Sequence, residues 1–439
     1  MFNSLLRYFK LNYRYILSNY KLFRSFIKIL LSNFKKNKKI NQLKEEANNS
    51  YQLGNWIKSQ EIRSEKRVLK YSDFIEGGFD ALNIKFIGSE ISGSIGHMAI
   101  SFAARAKEKL LYPKNKYKYI VLGRISANNK YLDLWKNYFE ILMITKEERT
   151  IIETIFSPIL ESISEVNVNG SELELYRAHN ILTNLYEENF PNKPLLQLGQ
   201  TDVNLGLNFL KGLHLSKNQE FVTLHIRSDN SSGSGYGRNS NPQTYVEAIQ
   251  YLTSKNIAVI RIGLPSKIKL PKIENFIDLT EVKSYKNKFD IFLLAKCKFM
   301  IGTTSGPLIV PHTFNVPVVA TNAPDLARFV YLPNSLVVPK KIIDKNERLL
   351  SFEEMFSHGY GHLDGYIPED RLKMHSWLDN SSTEILDAVI EMNNRFNFIT
   401  TEEQFNISKK ISSFGFDGNV KISNKFIEKN LNLFKNFGI

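Results

Sequence analysis

The chain has a single cysteine in 439 residues, Cys297, so no disulfide can form within it. That suits a reducing compartment, where thiols stay reduced. Its first 40 residues contain ten Lys or Arg and no acid; the first acid is Glu45. Of the net charge of +14, this leaves only +4 for the other 399 residues. A body so close to neutral argues against nucleic-acid binding by the whole protein. No apolar run near the N-terminus reaches the ~20 residues that a membrane span needs, because Arg14, Lys21 and Lys28 break each one. The same breaks, with no small-residue cleavage site after them, do not make a secretory signal. The Gly-x-Gly-x-x-Gly dinucleotide fingerprint is missing, so a nicotinamide cofactor is not expected. No Asp-x-Asp pair stands in a loop between strands; Asp229 and Asp278 are single carboxylates near strand ends. Neither a resident cofactor nor a metal is called for.

What the N-terminus has is periodicity. Phe2, Phe9, Ile16, Phe23 and Leu30 recur every seven residues, as do Leu6, Tyr13, Tyr20, Ile27 and Phe34. Together they form one apolar stripe at helical spacing. Arg7, Arg14, Lys21, Lys28 and Lys35 flank it. Residues 1–40 therefore read as a basic amphipathic helix. Aromatics on one face with cations beside them suit an anionic membrane surface, met through residues 1–36. That places the protein in the cytoplasm, peripheral at the inner face of the membrane. The alternative is a helix packed on its own protein or on a second copy. Residues 41–78 read as a helical linker, with Ala47, Leu53, Trp56 and Ile62 at irregular helical spacing.

From residue 79 the pattern alternates. Strands are expected at 82–88, 119–123 and 141–144, with helices from His97, near 133–138 and over 146–164; residues 170–215 read as mostly helical. A second series starts at 216, with strands at 221–226, 257–262, 276–279, 299–302 and 316–320. Helices are expected at 242–254, at 288–296 and after Ser305. Strands alternating with helices imply a parallel sheet covered on both faces. The expected fold is α/β, with two Rossmann-like domains, 79–215 and 216–395, and a polar extension, 396–439. Lys, Asn and Ile are abundant, so isolated Lys and Asn residues carry little weight as signals.

Three segments could carry chemistry. Gly93-Ser94-Ile95-Gly96-His97 follows a strand and opens a helix, where glycines allow close backbone approach and free N–H groups face a ligand. Glu90 lies just before it. The alternative there is a tight turn with a packed imidazole. His225-Ile226-Arg227 ends a strand, and the Arg227 fork at that edge suits a diphosphate; the alternative is pairing with an internal acid. The Ser/Gly/Asn-rich loop 230–241 follows, carrying Arg238. Gly302-Thr303-Thr304-Ser305-Gly306-Pro307 joins a strand to a helix start, with Ser305 as N-cap. Three hydroxyls at a positive dipole end make an anion site, unless the segment merely caps the helix.

These segments together resemble bacterial glycosyltransferases of the GT-B fold. His225-Ile226-Arg227 is similar to the His-x-Arg motif of fucosyltransferase-like enzymes, and Val259-Ile260-Arg261-Ile262-Gly263, after Ala248-Ile249, to the strand that follows it. Asp290-Ile291-Phe292-Leu293, Ala295-Lys296-Cys297 and Thr304-Ser305-Gly306-Pro307 look like a donor-phosphate segment, which is also similar to that of heptosyltransferases. The resemblance covers residues 80–340 and is densest at 220–322. One Arg rather than two follows His225, a departure from the fucosyltransferase pattern. The resemblance implies two domains facing across a cleft and a metal-independent sugar transfer in cell-surface glycan biosynthesis. The donor is a nucleotide-sugar, the acceptor a glycan or lipid-linked sugar. It implies that Arg227 contacts the donor diphosphate and that Thr304, Ser305 and Gly306 sit against the donor; His225, Arg238, Gly263 and Thr303 are expected at the same donor site. Glu90, Gly93, Gly96 and His97 would sit on the acceptor side; His97 is the candidate base, with Asp229 and Glu90 behind it. The rival functions are a nucleotide-sugar epimerase and a non-catalytic membrane-associated scaffold of the same fold.

Overall fold

The computed structural model describes residues 38–50, 58–59, 61–66, 68–69, 84–114, 118–123, 126–145, 160–161, 165–169, 171–216, 218–228, 237–264, 268–282, 285, 287–324, 326, 334–358, 360, 374–394, 400–413 and 420–437. The expected membrane-binding segment, 1–36, lies outside them. By internal contacts the chain divides into two units, Met1–Ala178 and His179–Ile439. Among the described residues, no helix is long and apolar enough to cross a membrane.

The first unit holds a four-stranded parallel sheet built from β1 (Ile84–Ile87), β2 (Lys118–Gly123), β3 (Glu140–Met143) and β4 (Leu160–Glu161), in the order β3-β2-β1-β4. Phe86, Ile87 and Tyr119 to Leu122 are buried, as expected of parallel strands covered on both faces. The helical stretch 95–111 links β1 to β2, with a π-helical turn at Met98–Phe102. Trp135, Phe102 and Phe139 stack beside it. Before the sheet, helix 38–50 is tied to the helical residues near 58–69: Ser59 Oγ donates to the Ala47 carbonyl at 2.8 Å, and Arg63 to Asn48 Oδ1 at 3.2 Å.

One expectation fails here and a second holds with an exception. The helix expected over 146–164 does not reach its end, because Leu160–Glu161 is β4 and pairs with β1; 146–159 lies outside the described residues. Residues 170–215 are mostly helical as expected, through Leu175–Asn189 and Gln200–Gly212, with 171–174 as the exception. They form β6 (Ser171–Glu174), antiparallel to β5 (Glu165–Val168), with Asn169 at φ +45° in the turn. Asn-Gly between paired strands is the residue pair such a turn demands.

The second unit holds a six-stranded parallel sheet: β7 (Phe221–His225), β8 (Ala258–Ile262), β9 (Phe276–Asp278), β10 (Met300–Gly302), β11 (Val318–Ala323) and β12 (Leu336–Pro339). Their order is β12-β11-β10-β7-β8-β9. The chain builds outward from β7 through β8 to β9, then returns to the other side of β7 and builds outward again. The loops leaving β7 and β10 therefore diverge, and ligands bind at such a switch point, outside the carboxyl ends of the strands. Helices Val246–Ser254, Asp290–Lys296 and Ser382–Asn393 cover the sheet through Ile249, Leu252, Ile291, Leu293, Ile385 and Val389, all buried. β13 (Lys341–Asp344) and β14 (His375–Leu378) add a two-stranded antiparallel sheet, with helix Phe352–Ser357 between them in sequence.

The C-terminal residues are part of this unit rather than an extension. Val337 N–H donates to the Lys421 carbonyl at 2.8 Å and Ser423 N–H to the Val337 carbonyl at 3.0 Å, so the segment adds to the β12 edge. Phe434 packs on Phe352, with ring centres 4.6 Å apart.

Asparagine has a structural use. Among the described residues, nine of the eleven non-glycine residues with positive φ are Asn, the non-glycine type best suited to that region. Asn256 and Asn315 end helices this way: the next N–H groups, of Ile257 and Val316, reach back five residues to the Leu252 and Pro311 carbonyls at 3.0 Å. This C-terminal motif turns each helix directly into β8 or β11.

Candidate functional site

The switch point brings together two short segments 76 residues apart. Arg227 backbone N–H donates to Thr303 Oγ1 at 2.8 Å. Thr303 N–H donates to the His225 carbonyl at 3.2 Å. His225 Nδ1 and Ser305 Oγ share a hydrogen bond of 3.0 Å, and Ser305 Oγ also lies 3.0 Å from the Thr303 carbonyl. Residues His225, Arg227, Thr303 and Ser305 thus form one edge, as the sequence implied, and Gly263 completes it from β8. Gly263 sits at φ +126°, and a Cβ there would lie 3.2 Å from the His225 ring. Only glycine combines that backbone with that neighbour.

The electrostatics of this edge are cationic and neutral, not acidic. Arg227 is half-buried. Its guanidinium donates through Nε to Asn239 Oδ1 at 3.2 Å, and among the described residues it makes no ion pair. Thr304 is 7% exposed and, among the described residues, its buried hydroxyl has no hydrogen-bond partner. A buried hydroxyl left unmade is unfavourable by roughly 1–3 kcal/mol, so Thr304 is poised to donate to something that arrives.

The helix after Ser305 differs from its expectation. It is one 3-10 turn, Gly306–Ile309, followed by one α turn, Val310–Thr313. Ser305 does not cap it through its side chain, because that hydroxyl is engaged by His225. So short an element has little macrodipole, and anion affinity here falls to Arg227 and Thr304 rather than to a helix end.

Burial, together with Arg261 and Arg227 nearby, lowers the His225 pKa to about 4. At neutral pH the ring is therefore uncharged. In the unfolded chain it titrates near 6.5. The folded form is thus disfavoured as pH falls from 6.5 towards 4, because only the unfolded state gains the proton. We expect His225→Gln to remove about 2 kcal/mol of acid sensitivity from urea melts compared between pH 7 and pH 4.5. Parallel pH profiles for parent and variant would show that His225 is not depressed.

Asp278 does not belong to the site. Its carboxylate pairs with buried Arg261 at 2.9 Å and accepts from Thr280 N–H and Oγ1 at 3.0 and 2.6 Å. Asp229 and most of the 230–241 loop lie outside the described residues; Arg238, half-buried, is on the returning limb. Among the described residues no group of three His, Cys, Asp or Glu could hold a metal.

In the first unit, the glycine segment is more helical than expected. Glu90 lies in a single turn, Ser89–Ser92, that ends at Gly93. Ser94 is the N-cap of a helix starting at Ile95, so Gly96 and half-buried His97 are its second and third residues. The Ala127 N–H to Ser92 carbonyl bond, 3.0 Å, ties the loop after β2 to this turn. His97 thus follows the carboxyl end of β1, as read from sequence.

The residues that sequence reasoning missed lie beyond the sheet. Lys340 Nζ donates to Asp379 Oδ1 at 2.6 Å and to the Asn239 carbonyl at 2.7 Å. Asn322 and Asn380 exchange backbone-to-side-chain bonds of 2.5 and 2.7 Å. No local pattern announces partners so far apart.

No family description matches the chain, and no curated protein matches it in sequence. Among solved structures it is similar to the ADP-heptose LPS heptosyltransferase II of E. coli, at 14% identity over 58% of this chain and 89% of that one, with a TM-score of 0.42. It is similar to a glycosyl transferase family 9 protein of Veillonella parvula, at 10% identity over 70% and 96%, with a TM-score of 0.41. The E. coli heptosyltransferase WaaC with ADP is similar at 11% identity over 64% and 100%, with a TM-score of 0.35.

Proposed function

We propose that the protein transfers a sugar from a nucleoside-diphosphate-sugar to an acceptor hydroxyl of a cell-surface glycan or its lipid-linked precursor. The observation that carries this reading is the edge at β7 and β10, where, among the described residues, Arg227 has no ion pair and the buried Thr304 hydroxyl has no partner. A diphosphate fits both, since its charge takes the guanidinium fork and its oxygens accept the hydroxyl proton. In the transfer, the acceptor oxygen forms a bond to the anomeric carbon as the bond from that carbon to the diphosphate oxygen breaks. The diphosphate leaves with the electron pair, and Arg227 and Thr304 stabilise its growing charge. The acceptor proton goes to a base, for which His97 is the first choice and Asp229 the next. His225, Ser305 and Gly263 shape the donor edge, and Arg238 and Gly306 border it. Glu90, Gly93 and Gly96 border the acceptor. The reading needs no metal and no resident cofactor. The basic N-terminus would hold the protein on an anionic membrane surface.

The test is a thermal-shift and turnover panel. A matching nucleoside-diphosphate-sugar at 100 times its dissociation constant should stabilise the protein by about 2.7 kcal/mol, while a CMP-sugar, with one phosphate, should not. Nucleoside diphosphate should be released only when an acceptor is present, and release should persist in excess EDTA. Conversion of the sugar without acceptor would establish an epimerase instead. Absence of any nucleotide binding would leave the scaffold.

A further inference from the structure

We propose that the ion pair Lys340–Asp379 is a positioning device for Arg227, acting through Asn239 to fix the loop that follows β7. The inference rests on Arg227 as the diphosphate ligand.

The connections run in sequence from the far edge of the sheet to the site. Lys340 follows β12 and is buried, its side chain 3% exposed; its backbone N–H donates to the Ala323 carbonyl at the end of β11 at 2.8 Å. Asp379 follows β14, beside Asn380, which is held by Asn322 and by the Pro339 carbonyl at 2.8 Å. Lys340 and Asp379 are therefore set by rigid elements. From there Lys340 Nζ holds the Asn239 carbonyl, and Asp379 Oδ2 accepts the Asn241 N–H at 2.8 Å. The backbone is fastened on both sides of Ser240. Ser240 N–H in turn donates to the Arg227 carbonyl at 2.8 Å, closing the neck of the loop. Asn239, fixed by its main chain, then presents its side-chain oxygen to Arg227 Nε.

The charges favour positioning over simple cohesion. A buried ammonium needs a partner, and Asp379 supplies it. Both Asp379 oxygens are engaged, one by Lys340 Nζ and the other by the Asn241 N–H. A neutral amide orients the guanidinium through Nε alone and leaves its two terminal nitrogens for a ligand. Were an acid to hold Arg227 instead, it would compete with the diphosphate. A third contact supports the loop without charge: Gly237, at φ +74°, has Pro324 Cβ and Trp377 Cε2 only 3.1 Å from where a Cβ would stand.

The experiment uses the full-length protein with Asp379→Asn, Lys340→Met and Gly237→Ala, each checked for native circular dichroism. In the absence of nucleotide, amide exchange at residues 237–241 should speed up at least tenfold in each, while β7 and β10 keep their protection. Affinities for ADP, GDP, UDP and inorganic pyrophosphate are then measured in each variant, alone and combined with Arg227→Ala. Asp379→Asn should weaken binding of whichever probes bind by about tenfold, and add nothing in the Arg227→Ala background. Unchanged exchange at 237–241 overturns the proposal, as does a full tenfold loss added on top of Arg227→Ala. If Lys340→Met does not fold, Asp379→Asn and Gly237→Ala decide alone. Should no probe bind even the parent protein, the diphosphate reading fails, and the exchange measurement still decides whether this pair holds the loop.

Discussion

Arg227→Ala is expected to weaken nucleoside-diphosphate binding by about 10- to 150-fold, since a hydrogen bond to a charged group contributes about 1.5–3 kcal/mol. Turnover should fall at least as far, because charge on the leaving diphosphate grows in the transition state. Stability should change little: the side chain is half-buried, its hydrogen bond goes to the neutral Asn239, and it closes no ion pair among the described residues. The backbone bond to Thr303 Oγ1 survives the substitution. Arg227→Lys should restore only part of the affinity, since an ammonium lacks the planar fork that lets Nε donate to Asn239 while the terminal nitrogens face the diphosphate. Isothermal titration with ADP, GDP and UDP measures this directly. Equal affinity in parent and Arg227→Ala would remove this residue from any anion site.

The second unit was legible because parallel strands buried on both faces read as continuous apolar runs. Phe221–His225 and Ala258–Ile262 stand within a residue or two of their expected limits, and their alternation with helices implied the parallel sheet. Residues 160–174 were less legible. One two-residue strand and one short hairpin there give little apolar pattern, and Asn169-Gly170 was the local signal for the turn. The C-terminal residues misled through composition. Their polar surface hides Ile407, Ile411, Ile422, Phe426 and Phe434, which are buried at helical and strand spacing. Asparagine misled in the same way, since a residue common by composition also fills the left-handed positions that end helices. At the site, Arg227, Thr303 and Ser305 were visible because each lies within a few residues of a strand end. Asn239, Lys340 and Asp379 were not: they come from three loops, and only the folded sheet edge brings them together. Cys297 needed no function, and burial, which pushes its thiol up to about 12, agrees.

Asp278→Ala is expected to remove about 3–5 kcal/mol of stability, the usual effect of leaving a buried charge without its partner. Arg261 lies on β8, one strand in from the β9 edge, and is 1% exposed. Asp278, at the end of the neighbouring β9, neutralises it at 2.9 Å and is itself saturated by the backbone and hydroxyl of Thr280. Alanine deletes all three bonds and leaves a guanidinium that water cannot reach. Asp278→Asn keeps the hydrogen-bond acceptor and should lose less. Replacing both partners, Arg261→Met with Asp278→Leu, should recover most of the loss, because the penalty belongs to the unpaired charge rather than to the missing bridge. The double variant also removes one of the cations that lower the His225 pKa. Its acid sensitivity below pH 6.5 should therefore shrink relative to the parent, in the direction set by His225→Gln. Urea melts at pH 7 and pH 4.5 separate the two effects. A loss under 1 kcal/mol in Asp278→Ala at pH 7 would mean that Arg261 finds another partner, and that β8 and β9 are not joined through this pair.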